Sequence, residues 1–219
     1  MRMATTLSHR ALGLPWWSAR QRVLALGDRA HDLRDPLTAL AADAAIRVLE
    51  PPRRADPRRF GHPSEPGDWF VESELGPDPH AFHLSLVALE ALLLEAGGER
   101  LALFGMGQGA ALCLALACCW PERLSAVVAS DGVLPALPAG ALAEQPLDRL
   151  PVLCVAGARG SASALRRRGA LVSELAGAGG SELAAWLRSQ RTGQAYVAPS
   201  CAGEPAGDSA ARFRSRMAC

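Results

Sequence analysis

Leu101-Ala-Leu-Phe-Gly-Met-Gly-Gln-Gly-Ala-Ala111 is the stretch that decides the fold. An apolar run, Leu101 to Phe104, leads into Gly105-x-Gly107-x-Gly109. A longer apolar run, Ala110 to Trp120, follows within a helix expected from Gln108 and stopped by Pro121. The short run, bounded by glycine, reads as a buried strand from Arg100 to Phe104, with Gly105 to Gly109 as a tight turn. The longer run reads as a buried helix, too short to cross a bilayer. Glycines at 105 and 109 let the turn and helix pass close to neighbouring backbone. The residue between them stands at a helix N-terminus, where free N–H groups and the macrodipole favour negative charge. That residue is Gly107, which presents no side-chain atom to react.

Outward from this segment, strands alternate with helices, which implies parallel pairing and right-handed crossovers. On the N-terminal side, Val23 to Leu26 reads as a strand ending at Gly27-Asp28. A helix is expected over Leu37 to Ala45, opened by Asp35-Pro36, and a strand over Ile46 to Leu49. Arg53 to Gly67, rich in Pro, Arg and Gly, reads as a surface loop. Pro79 to Ala96 shows apolar residues at helical spacing, with Gly97-Gly98 as its cap. On the C-terminal side, Leu124 to Ser130 and Val152 to Ala156 read as strands, and Ala162 to Leu175 as a helix. Ser181 to Leu187 reads as a further helix, Gln194 to Val197 as a short strand and Asp208 to Met217 as a terminal helix. The fold class is therefore α/β: a mostly parallel central sheet, helices on both faces and an irregular C-terminal part. Residues 1–20 are set aside as an N-terminal extension, 21–189 as the domain, and 190–219 as a poorly defined segment, the remnant of a last strand and helix.

Composition removes several function classes. The formal net charge is +1 and 49% of the 219 residues are hydrophobic. So even a balance gives no electrostatic footprint for nucleic acid or a membrane surface. All the basic residues are Arg. The six Cys include no C-x-x-C pair and no zinc spacing, so no metal or other cofactor is expected and a reducing, cytoplasmic setting is. Before residue 28 no continuous apolar stretch resembles a signal peptide.

Gly105-Met106-Gly107-Gln108-Gly109-Ala110, its Ala/Leu-rich helix, Ser130-Asp131-Gly132 and Leu134-Pro135 follow one another in order. Trp69-Phe70 precedes them and Pro151 to Gly157 follows. Together these pieces resemble the phospholipase/carboxylesterase family of α/β-hydrolases, which includes the acyl-protein thioesterases. The resemblance runs roughly from Val23 to Gly157. It implies that the turn at Gly107 is a nucleophile elbow. It also implies oxyanion donors at the amides of Gln108 and Asp28, and a ligand-binding surface of Gly27, Asp28, Met106, Gly107 and Gln108.

The departures from the family are as specific as the matches. The family's serine position is Gly107. Its Gly-x-x-Asp acid is Gly157-Ala-Arg159-Gly160, so the acid position is Gly160. Its late Gly-His is absent, because no His follows His83. Its His-Gly before the oxyanion loop is Leu26-Gly27. In a Ser-His-Asp system loss of the nucleophile alone costs about a million-fold in turnover. Roughly a thousandfold over water survives from the oxyanion hole and binding. The expectation is a non-catalytic homologue, retaining at most binding of a small acyl or ester ligand or of a protein partner. The alternative is an active ester or thioester hydrolase in which Asp28 or Asp131 works with His31 on water. His62, His80 and His83 are expected at the surface. Cys113, Cys118 and Cys119 are expected to be inert among apolar neighbours.

Overall fold

The computed structural model describes residues 7–28, 33–51, 68–74, 76–96, 98–135 and 145–192. Its centre is a seven-stranded sheet. In chain order the elements are β1 (His9–Gly13), β2 (Arg22–Leu26), α1 (Arg34–Ala41), β3 (Ala45–Leu49), β4 (Glu72–Ser73), β5 (Gly76–Pro77) and α2 (Pro79–Glu95). Then come β6 (Leu101–Met106), α3 (Gln108–Cys119), β7 (Leu124–Ser130), β8 (Pro151–Val155), α4 (Ala162–Arg167), β9 (Leu171–Leu175) and α5 (Gly180–Thr192). The strands lie in the order β1-β3-β2-β6-β7-β8-β9, and β4 pairs separately with β5. Every neighbouring pair in the main sheet is parallel except β1 with β3.

The apolar runs become central strands because both faces of a parallel sheet are covered. On one face Leu24, Leu26, Leu103, Val127 and Cys154 pack under α2, α3 and α4. On the other, Val23, Ala25, Phe104, Val128 and Leu153 pack under Leu37 and Leu40 of α1 and Trp186 and Leu187 of α5. Ten of the twelve residues of α3, from Gly109 to Cys118, are buried, so this helix runs through the core. Helix α2 starts where Pro79 follows the N-cap Asp78, whose side chain accepts from Ala81 N at 2.7 Å.

The sequence reading differs from the structure in several places. Within the stretch set aside as an extension, His9–Gly13 forms β1 and closes one sheet edge against β3. Helix α1 ends at Ala41 rather than Ala45, because Ala45 is claimed by the sheet, pairing with Gly13 and Arg22. The single helix expected over 162–175 is α4, a turn and β9: Gly169 takes φ +92° and reverses the chain so that Leu171 pairs with Pro151. Strand β6 runs through Met106, leaving Gly107 alone as the turn. The loop 53–67, His31, His62 and the elements expected after 193 lie outside the described residues.

Trp16 and Trp17 separate. Trp16 is partly buried, with the Arg47 guanidinium 4.1 Å from its ring centroid and Arg22 donating to its carbonyl at 2.7 Å. Arg22 also pairs with Glu99. Trp17 is 83% exposed.

Gly109 lies directly against β2. A Cβ there would stand 2.2 Å from the Leu26 carbonyl oxygen, a backbone atom that cannot swing away. Gly109→Ala should therefore cost about 3 kcal/mol by forcing α3 off the sheet, read as a fall in the urea midpoint of unfolding.

Candidate active site

Three adjacent strands, β6, β7 and β8, end in left-handed residues. Gly107 (φ 57°), Asp131 (φ 58°) and Ala156 (φ 48°) follow Met106, Ser130 and Val155 directly. Asp131 and Ala156 carry a Cβ in a region that costs side-chain-bearing residues free energy. Such turns line the carboxyl edge of a parallel sheet, where α/β folds place their ligands.

Gly107 (φ 57°, ψ −124°) is the N-cap of α3. Its N–H donates to Ser130 O at 2.9 Å, and its own carbonyl accepts from Ala110 N at 3.0 Å. A strand thus enters a helix through one left-handed residue, the shape of a nucleophile elbow. At its tip there is no hydroxyl or thiol.

The first free amide of the helix, that of Gln108, faces a protein oxygen. It donates to Asp28 Oδ2 at 2.8 Å. The sequence reading placed an oxyanion donor there. In the structure, the side chain of the other expected donor residue occupies it. A carboxylate at this point satisfies an orphan helix N–H and the positive end of the dipole.

The Gln108 side chain binds the aromatic pair. Its Oε1 accepts from Trp69 N at 2.9 Å and Phe70 N at 3.3 Å, and its Nε2 donates to Phe70 O at 3.0 Å. Trp69 Nε1 donates to Gly27 O at 2.8 Å, and Ser85 Oγ to Trp69 O at 2.6 Å. Phe70 then packs edge-on against Phe82 of α2 at 5.0 Å. Of the expected ligand-binding residues, Gly27, Asp28 and Gln108 are thus joined to one another or to the Trp69-Phe70 segment. Met106 is partly buried against the α1 and α5 face of the core.

Asp131 is exposed, and its Oδ2 accepts from Ser130 Oγ at 2.8 Å. Gly160 sits in a short 3₁₀ segment, Ala156–Ser161. A Cβ there would meet Val133 at 3.5 Å, an ordinary contact, so space does not forbid a side chain at the position where the resemblance expects an acid. His9, on β1, and His80 and His83, in the first turn of α2, are exposed. No group of three or more metal-ligating side chains occurs among the described residues.

Cys113 is fully buried, and desolvation pushes its thiol far above the ordinary range. Burial raises Cys118 to about 11, although Arg168 pulls the other way, and raises Cys154 to about 11. These thiols stay protonated and unreactive at neutral pH.

Contacts that link distant segments escaped the sequence reading. The Asp28–Gln108 bond spans 80 positions and the Trp69–Gln108 bond 39. An aspartate just after a strand was the available signal for the first.

No family model matches the chain, and no curated protein does. Solved structures do. A carboxylesterase from Bacillus cereus superposes with TM-score 0.63 at 15% identity, covering 84% of this chain and 94% of its own. A carboxylesterase from Mesorhizobium loti gives 0.63 at 18% identity, covering 85% and 95%. A phospholipase/carboxylesterase from Dyadobacter fermentans gives 0.55 at 19%, covering 77% and 87%. The fold is therefore that of the carboxylesterase-like α/β-hydrolases. No helix among the described residues is long and apolar enough to cross a membrane.

Two outcomes follow from this geometry. Asp28→Ala should lower stability by about 1 kcal/mol, the worth of a helix-capping side chain, measured by chemical denaturation. Alkylation near pH 8 should leave Cys113, Cys118 and Cys154 unmodified in the folded protein and label them in denaturant, read by mass spectrometry of peptides.

Proposed function

We propose that the protein is a non-catalytic homologue of the serine carboxylesterases. One observation carries the reading: the elbow keeps its positive-φ turn and presents glycine at its tip. The acid position, Gly160, is also without a side chain, and no histidine follows His83 in the sequence. The four described cysteines, by burial or position on α3 and β8, offer no replacement nucleophile at the turn.

Of the two retained roles, a protein partner has more support than a small acyl or ester ligand. An acyl oxygen seeking the Gln108 amide has to displace the Asp28 carboxylate, which is a better acceptor than a neutral carbonyl. The alternative, a hydrolase using Asp28 or Asp131 with His31, has less support. Both carboxylates already accept hydrogen bonds, from Gln108 N and Ser130 Oγ.

The test is direct. Purified protein should neither turn over an activated ester nor be labelled by a fluorophosphonate probe. Gly107→Ser should also remain unlabelled, because among the described residues no histidine lies on the strand ends and turns that surround the hydroxyl. That variant should unfold more easily, by about 1 kcal/mol, since serine lacks glycine's freedom at φ 57°. Turnover or labelling at enzyme-like rates in either protein overturns the reading.

A further inference from the structure

We draw no further inference here: the strongest candidate, the surface patch on the turn between β1 and β2 where Trp17 is 83% exposed and Leu14 41%, is an unpartnered apolar face, and nothing in the structure shows what covers it.

Discussion

The start of α3 lies against the end of β2 so closely that the helix carries no side chain where it touches. Gly109 meets the Leu26 carbonyl, and a Cβ on Gly105 would fall 2.6 Å from Ala110 Cα. This approach draws a fully apolar helix down onto the sheet and aims its amide end at the carboxyl edge of the strands. Packing supplies most of the free energy that holds the rest. Each fully buried aliphatic or aromatic side chain contributes about 1.5–3 kcal/mol, against about 1 kcal/mol for a typical hydrogen bond. The bonds at the elbow therefore position groups more than they stabilise the fold.

That positioning is preserved at a turn whose tip carries no side chain. A serine at a left-handed turn stores strain, which is tolerated where it exposes a nucleophile. Gly107 adopts the same turn without the strain and without the nucleophile. Nearby, the Asp28 carboxylate accepts the hydrogen bond of the first helix amide. Both features satisfy local backbone requirements, the positive φ of the turn and the first amide of the helix. Asp131 and Ala156 hold positive-φ turns with side chains attached, so strain at the carboxyl edge sits on these two residues rather than at Gly107.

The parts of the site legible in the sequence were those that depend on adjacent residues. The glycine spacing around residue 107 announced the turn, and the missing serine, acid and late histidine were visible as letters. What Asp28 and Gln108 do was not legible. Helix-capping rules look a few residues back from a helix start, and here the capping carboxylate arrives from the end of a strand 80 positions away. Gln108 was marked for its amide, yet its side chain also fastens Trp69 and Phe70. Asp131 was marked as a possible acid, and only folding shows it engaged with its neighbour Ser130.

The same division runs through the fold. Periodicity and apolar runs by themselves determined the central strands, the long helix α2, the buried helix α3 and the α/β class, because each depends on whether a short segment can bury its own side chains. Tertiary structure alone decided the edges. Whether His9–Gly13 is a tail or a strand depends on β3 offering it a ladder. Whether residues 171–175 continue a helix or pair with β8 depends on Gly169 turning the chain toward an open sheet edge. Edge elements gain hydrogen bonds from partners distant in sequence, and a local pattern carries no record of whether those partners will be there.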